Sequence, residues 1–306
     1  MSQTDKNPRG AADRLDPGQA GEDAMTVLHD LVDMGKYPID RPNSPAFRRL
    51  IADLRRELER DGCAVLPGFV HAEGLKQLLA EASRVAPRAH RSFGRTNPYF
   101  GKDDPDLPPD HPVRWFHDRS NAFVPADNFA ADGPLRRIYE YPGFMPFIRE
   151  ALGEPEDRFF RYDDPLADVI INTAEAGPGF PWHFDTNNYT VTLAIQNAEE
   201  GGAFEYVPHL RTPEDENFAE VAKVLKGDRS RVRVLELQPG DLQIFRGRYA
   251  LHRVAPLAGA RARHVGIFLI CRTRGHVRQR RAHAAALWPG AAGALQVGGV
   301  PRGQAA

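Results

Sequence analysis

The stretch PWHFDTNNYTVTLAIQN, residues 181–197, joins a His-x-Asp pair to a run of strand-forming residues. Side chains two positions apart lie on the same face of an extended chain, so His183 and Asp185 share a face and Phe184 points the other way. The run YTVTLAIQN (189–197) is rich in β-branched residues and predicts a strand. An imidazole and a carboxylate are therefore expected to converge on one metal ion at the end of a strand.

The composition of the C-terminal half predicts further strands around this pair. Besides 189–197, five runs are rich in β-branched and aromatic residues, and turn residues separate most of them. The runs are ADVIINTAE (167–175), GAFEYVP (202–208), RVRVLEL (231–237), DLQIFRG (241–247) and ARHVGIFLICR (262–272). Residues 211–229 are interpreted as an inserted helix.

The N-terminal half predicts helices. Ser44 and Pro45 form a helix start, apolar residues follow at helical spacing, and Asp61 and Gly62 end the helix. The remaining elements are a strand within 63–70 and helices over about 72–85 and 135–152. Helices followed by six strands predict an α+β protein, with a β-sandwich or jelly-roll core and N-terminal helices packed on it.

Residues 90–135 interrupt this pattern. They are dense in Pro, Asp, Asn and aromatic residues, and neither the strand period nor the helix period fits them. A long irregular segment inside a compact domain is usually functional or disordered, and the aromatic content favours an ordered lid. The sequence thus predicts a helical lead-in and lid over 26–160 and a jelly-roll core over 161–275.

Length and charge limit the remaining possibilities. The 306 residues include 40 Lys and Arg against 41 Asp and Glu, which argues against a nucleic-acid partner. A single domain is expected over 26–275, between a disordered leader (1–25) and a flexible tail (276–306). No stretch approaches the about 20 apolar residues of a membrane-spanning helix. Without a signal sequence, and with only Cys63 and Cys271, a cytoplasmic protein without membrane contact is expected.

A second imidazole is needed to complete a metal site. His252, 67 positions after Asp185, stands in ALHRVAP and supplies it. Two histidines and one carboxylate on one face of a metal form the ligand set of non-haem Fe(II) oxygenases, which leaves three positions open. The remaining candidates, His209, His264 and His276, are interpreted as surface or hydrogen-bonded histidines.

The motifs around these ligands resemble a known superfamily. HxD (183–185), EEGGxF (199–204), PGDxxxF (239–245), HxVxP (252–256) and GxR (259–261) together look like the iron(II)/2-oxoglutarate-dependent dioxygenases, over about 165–272. The resemblance implies a double-stranded β-helix with Fe(II) bound by His183, Asp185 and His252, and with 2-oxoglutarate and O₂ as co-substrates.

The resemblance also implies an arginine that binds the distal carboxylate of 2-oxoglutarate. In the family it opens the last core strand, about ten residues after the distal histidine, and both Arg261 and Arg263 qualify. Arg263 is favoured because the strand begins there without a break, and guanidinium binds a carboxylate in bidentate fashion. Thr192 or Asn172 could add a hydrogen bond.

Within the superfamily the sequence is most similar to the bacterial group that hydroxylates or halogenates free amino acids. Its halogenases replace the ligand carboxylate by Gly or Ala, whereas Asp185 fills that position here, so hydroxylation of a free amino acid or a derived metabolite is expected. The candidates for substrate contact are Arg119, Asn121, Asp163 and Trp182. The sequence leaves the substrate, the oxidised carbon and the oligomeric state open.

Two alternatives of other classes remain. A zinc-dependent hydrolase could use the same His/Asp/His face to activate water. A jelly-roll binding module without catalysis is the other alternative, since a fold does not imply a function.

Overall fold

The structure, a computed structural model, describes residues 28–273. The predicted leader, the predicted tail and His276 lie outside this range. Within it, no helix is long and apolar enough to cross a membrane. The α-helices of this range are α1 (Pro45–Asp61), α2 (Ala72–Val85), α3 (Pro134–Glu140), α4 (Phe144–Leu152) and α5 (Phe218–Leu225).

The strands are short and fall mostly in the C-terminal half. They are β1 (Cys63–Leu66), β2 (His90–Thr96), β3 (His117–Val124), β4 (Phe160–Arg161), β5 (Val169–Ala174), β6 (Phe180–His183), β7 (Thr190–Gln196), β8 (Glu200–Gly201), β9 (Phe204–Val207), β10 (Arg233–Leu235), β11 (Leu242–Phe245), β12 (Leu251–Val254), β13 (Leu257–Ala258), β14 (Arg263–Phe268) and β15 (Ile270–Cys271).

Two antiparallel sheets form the centre of the molecule. The larger has seven strands in the order β1-β11-β7-β14-β5-β3-β2, and the smaller has four in the order β10-β9-β12-β6. Their inner faces meet through side chains such as Phe204 of β9 and Phe245 of β11, whose ring centroids lie 5.0 Å apart. This arrangement confirms the predicted α+β class with a jelly-roll core.

The helices cover the outer face of the large sheet. Phe268 of β14 contacts Tyr139 of α3 and Phe144 of α4, with ring centroids 5.8 and 5.1 Å apart. Val265 and Ile267, which alternate with Phe268 along the strand, belong to a separate cluster on the inner face. Fully burying an apolar side chain of this size contributes roughly 1.5–3 kcal/mol, so the helices stabilise the sheet that carries the site.

The sequence determines the ends of α1 through local hydrogen bonds. Ser44 Oγ accepts a hydrogen bond from the Phe47 amide, and Pro45 occupies the first turn, where no amide proton is needed. At the other end Gly62 adopts φ 64°, and its amide donates to the Leu58 carbonyl. Because this left-handed conformation strains other residues, the helix ends where predicted.

The prediction for 90–135 was wrong in two stretches. β2 and β3 pair with each other and extend the large sheet at its edge, so the segment supplies two sheet strands as well as loops. Most of β2 is exposed, and an edge strand can be polar on both faces. β2 therefore lacks the alternation of apolar and polar residues by which a strand is predicted from sequence. The loop between β2 and β3 is irregular, as expected.

Candidate metal centre and adjoining cavity

Strand pairing brings the three predicted metal ligands together. His183 at the end of β6 lies opposite His252 of β12, and Asp185 follows two residues after His183. The Nε2 atoms of His183 and His252 lie 3.6 and 3.4 Å from Asp185 Oδ1. Within residues 28–273 this is the one group of three or more His, Cys, Asp or Glu side chains whose ligand atoms lie within 4.8 Å of one another.

The backbone fixes the orientation of both imidazoles. His183 Nδ1 lies 2.8 Å from the Pro181 carbonyl oxygen, and His252 Nδ1 lies 2.9 Å from that of Ala250. A carbonyl oxygen only accepts, so each Nδ1 carries the proton and donates it. Each Nε2 then keeps its lone pair for a metal, an arrangement common among metal-binding histidines.

The carboxylate of Asp185 has one satisfied oxygen and one bare oxygen. Oδ2 accepts a hydrogen bond from Thr190 Oγ1 at 2.5 Å. Oδ1 is buried and accepts no hydrogen bond from the described residues. A buried carboxylate oxygen without partners is costly unless a cation neutralises it. Facing two Nε2 lone pairs, Oδ1 gives the site the donor set that suits a divalent metal ion.

Burial and mutual charge shape the electrostatics of this group. Burial lowers the pKa of His183 to about 4, and the neighbouring His252 adds to the shift. Burial alone would raise the pKa of Asp185, but the imidazoles of His252 and His183 outweigh it and hold that pKa below its usual value. His183 is therefore a neutral imidazole and Asp185 a carboxylate at neutral pH, and these are the protonation states that bind a metal ion.

Aromatic rings surround the two histidines. The rings of Phe180 and Phe100 have centroids 4.6 and 5.4 Å from that of His183. On the other side, Phe245 and Phe204 lie 4.9 and 5.6 Å from His252. These apolar walls limit water near the ligands and strengthen electrostatic interactions there.

A cavity of about 340 Å³ adjoins the centre. Its lining includes Phe180, which also contacts His183, together with Asn121, Asn172, Glu175 and Arg263. Cavities of a few hundred Å³ accommodate small organic ligands. The polar side chains in this lining suit a polar metabolite more than a hydrocarbon.

The structure distinguishes the two arginines proposed for 2-oxoglutarate. Arg263 lines the cavity, its guanidinium makes no hydrogen bond or ion pair with the described residues, and burial lowers its pKa to about 10. Arg261 is exposed, and its guanidinium donates to the carbonyls of Asn197 at 3.1 Å and Ala198 at 3.2 Å. Of the two, only Arg263 lines the cavity.

The glycines of the EEGG motif leave room for this arginine. Gly202 has φ 74°, and a Cβ there would lie 3.1 Å from Leu257 Cδ2 and 3.4 Å from Arg263 Cδ. Glycine accepts the conformation without strain and lets the arginine stem pass. The motif therefore has a structural function in shaping the cavity wall.

The two hydrogen-bonding candidates on core strands have partners. Thr192 Oγ1 donates to Gln243 Oε1 at 2.9 Å, and Thr192 is not among the residues that line the cavity. Asn172 does line it, and its amide donates to Asn121 Oδ1 at 2.7 Å. Asn121 and Asn172 thus form one polar unit in the cavity wall.

The structure brings two of the four substrate candidates, Arg119 and Asn121, to this region. Arg119 lies on the same face of β3 as Asn121, with its guanidinium 5.6 Å from the ring centroids of both Phe100 and Phe180. It makes no ion pair with the described residues, and burial lowers its pKa.

Trp182 and Asp163 lie elsewhere. Trp182 points away from the ligands and packs between the guanidinium groups of Arg253 and Arg229, at 4.9 and 5.5 Å. Asp163 is exposed, lies close enough to Cys271 to influence its pKa, and does not line the cavity.

Three contributors were not singled out from the sequence. Thr190 binds the ligand carboxylate, Phe100 lies beside His183, and Gly247 packs against Asp185. Strand alternation places Thr190 and Thr192 on one face, which is the signal that could have indicated Thr190. The positions of Phe100 and Gly247 depend on long-range contacts that no local pattern encodes.

The fold and the site define a class, a jelly-roll protein with a 2-His-1-carboxylate metal centre. Residues 117–285, more than half of the chain, match the family model described as HalD, Halogenase D. The chain belongs to this family. The predicted membership in the iron(II)/2-oxoglutarate-dependent dioxygenase superfamily is supported by the family match together with the three candidate metal ligands.

Several solved structures are similar to this chain. An oxidoreductase of the 2OG-Fe(II) oxygenase family from Burkholderia pseudomallei is 15% identical, with 73% of this chain and 91% of that chain covered and a TM-score of 0.47. A prolyl-4-hydroxylase from Pseudomonas putida is 14% identical, with 73% and 99% covered and a TM-score of 0.45. The epimerase SnoN is 16% identical, with 73% and 81% covered and a TM-score of 0.49. A comparison with curated proteins found no match.

Proposed function

We propose that this protein is an Fe(II)- and 2-oxoglutarate-dependent hydroxylase acting on an unactivated C–H bond of a small molecule, a free amino acid or a metabolite derived from one. The observation that carries the proposal is the bare, buried Oδ1 of Asp185 between two Nε2 atoms. Arg263, whose guanidinium has no hydrogen-bonding or ion-pair partner among residues 28–273, lines the adjoining cavity and supports it.

Each part of the site has a separate task in this proposal. His183, Asp185 and His252 hold Fe(II), and Arg263 binds the distal carboxylate of 2-oxoglutarate. Bound Fe(II), with 2-oxoglutarate and O₂, supplies the oxidation of a C–H bond. The protein fixes the positions of the reactants and excludes water, since reactivity depends on holding the target bond in one orientation.

Arg119 and Asn121 are the proposed substrate contacts. A partly buried guanidinium without a carboxylate partner in the described range suits an anionic group, such as the carboxylate of an amino acid. Its place between Phe100 and Phe180 keeps that group beside the metal ligand His183. The Asn121–Asn172 pair offers neutral hydrogen-bonding groups to the same cavity.

Hydroxylation is favoured over halogenation because of Asp185. A ligand carboxylate and a halide compete for the same coordination position, and here the carboxylate is present and hydrogen-bonded to Thr190. Halogenation is the second candidate, since the matched family model is described as a halogenase.

The test is a panel of free amino acids and small amines, incubated with Fe(II), 2-oxoglutarate, ascorbate and O₂. We expect one substrate to stimulate succinate formation and to gain 16 mass units, with no product from His252→Ala. A zinc hydrolase or a binding module would release no succinate. Uniformly absent succinate across a broad panel would remove the oxygenase proposal.

Asp185→Gly separates hydroxylation from halogenation. With chloride present, we expect the variant to lose hydroxylation, because one of three metal ligands is gone and the freed position suits a halide. Mass spectrometry of the product from the preferred substrate distinguishes the two reactions. Unchanged hydroxylation by Asp185→Gly would show that Asp185 is not a ligand.

A further inference from the structure

Both oxygens of the Asp185 carboxylate, and its backbone amide, have defined neighbours. Oδ1 faces the imidazoles of His183 and His252, while Oδ2 accepts the Thr190 hydroxyl proton at 2.5 Å. The Asp185 amide donates to the Gly247 carbonyl at 3.1 Å. The backbone and the side chain of Asp185 are thus held by separate bonds.

Gly247 leaves the space that the carboxylate occupies. A Cβ at this position would lie 1.9 Å from Asp185 Oδ2 and 2.7 Å from its Cγ. The φ angle of Gly247 is not in the left-handed region, so clearance is what requires a glycine here. Any side chain would force the carboxylate to turn or move away from Thr190.

We propose that Thr190 and Gly247 are positioning residues that fix the rotation of the Asp185 carboxylate, so that one oxygen faces the two imidazoles. This inference rests on the proposed metal centre. Thr190 prevents rotation about the Cβ–Cγ bond through its hydrogen bond, and Gly247 admits the group at the required depth. Partners that orient a metal ligand typically change metal affinity by about 10–100-fold when removed.

Strand β7 provides a matched control. Thr192 lies two residues from Thr190 on the same face, but its hydroxyl donates to Gln243 rather than to a metal ligand. Thr190→Val and Thr192→Val therefore remove the same group at neighbouring positions. Thr190→Ser keeps the hydroxyl and is the conservative variant. For Gly247→Ala the control is Gly94→Ala, where an added Cβ meets nothing within 4 Å.

The experiment is a titration of each variant with Co(II) in the absence of 2-oxoglutarate, followed by the visible absorption of the bound ion. We expect Thr190→Val and Gly247→Ala to bind Co(II) about 10–100-fold more weakly than wild type. Thr190→Ser, Thr192→Val and Gly94→Ala should stay close to wild type. Circular dichroism confirms that each protein compared is folded.

The outcomes separate this inference from the proposed function. Wild-type affinity in a folded Thr190→Val would overturn the role of Thr190, and the same result in Gly247→Ala would overturn the clearance argument. If Thr190→Val does not fold, the Co(II) affinities of Gly247→Ala and Thr190→Ser decide whether the Asp185 carboxylate is positioned as proposed. A wild-type protein that binds Co(II) no better than His183→Ala would remove the metal centre itself.

Discussion

Replacing Arg263 by methionine should stabilise the protein in the absence of 2-oxoglutarate and abolish its response to 2-oxoglutarate. The side chain lies in the cavity without a hydrogen-bonding partner among the described residues. Burial lowers its pKa from an ordinary value of roughly 12.5 to about 10. Arg263→Met keeps an unbranched apolar stem, although a shorter one, and removes the charge.

The magnitude follows from the pKa. At about 1.36 kcal/mol per pKa unit, the lowered value corresponds to roughly 3 kcal/mol of destabilisation by the buried charge. At pH 7 the group is charged in the folded and the unfolded chain, so the full destabilisation is present; it fades only as the pH rises above about 10. Arg263→Met should therefore raise the unfolding temperature by up to roughly 5–10 °C.

The assay is thermal unfolding of the Zn(II)-loaded protein with and without 2-oxoglutarate. A ligand at 100 times its Kd stabilises the folded state by about 2.7 kcal/mol, and this increment should be present in wild type and absent from Arg263→Met. Arg261→Met is the matched control. Its guanidinium binds the carbonyls of Asn197 and Ala198, so its loss should slightly destabilise the loop and leave the 2-oxoglutarate response intact.

Two results would refute this reasoning. If Arg263→Met melts below wild type without ligand, the arginine contributes packing or contacts that outweigh the buried charge. If Arg263→Met keeps the 2-oxoglutarate increment while Arg261→Met loses it, the carboxylate-binding residue is Arg261.

Two further predictions concern the remainder of the fold. Gly74→Ala should lower the free energy of unfolding by about 1–3 kcal/mol, measured by denaturant unfolding. Alanine favours helices, but the new Cβ would lie 2.5 Å from the Leu31 carbonyl oxygen. The control Gly101→Ala, whose Cβ would have its nearest contact at 3.8 Å, should be near neutral. Cys63 should resist iodoacetamide at pH 8 far longer than Cys271, because burial raises the pKa of Cys63 to about 12, and equal labelling rates in the native protein would contradict this.

Sequence reasoning located the elements whose signals are local. The ends of α1 follow from a serine cap and a terminal glycine, and the ends of α2 agree with the prediction. The main C-terminal strands were found because most are buried on at least one face. β2 was not predicted because an exposed edge strand needs no alternation of apolar and polar residues. β6 and β12 were not predicted because each has only four residues.

The metal ligands could be predicted because strand geometry places positions i and i+2 on one face. The third ligand was predicted as the distal histidine in ALHRVAP, and the pairing of β6 with β12 sets His183 opposite His252. The functions of the two threonines could not be assigned in this way. Thr190 and Thr192 share a face, and only the positions of Asp185 and Gln243 decide which hydroxyl reaches a metal ligand.

The same contacts bear on the difference between the family description and the proposed reaction. The matched family model is described as a halogenase, yet the third ligand position of this chain contains a carboxylate. Thr190 satisfies its outer oxygen, and Gly247 provides its clearance. Two separate residues accommodate this carboxylate, and its loss would leave the part-buried Thr190 hydroxyl without its acceptor beside an unfilled space. We therefore expect the reaction of this chain to be set by its two histidines and one carboxylate, which favour hydroxylation, although the family model is described as a halogenase.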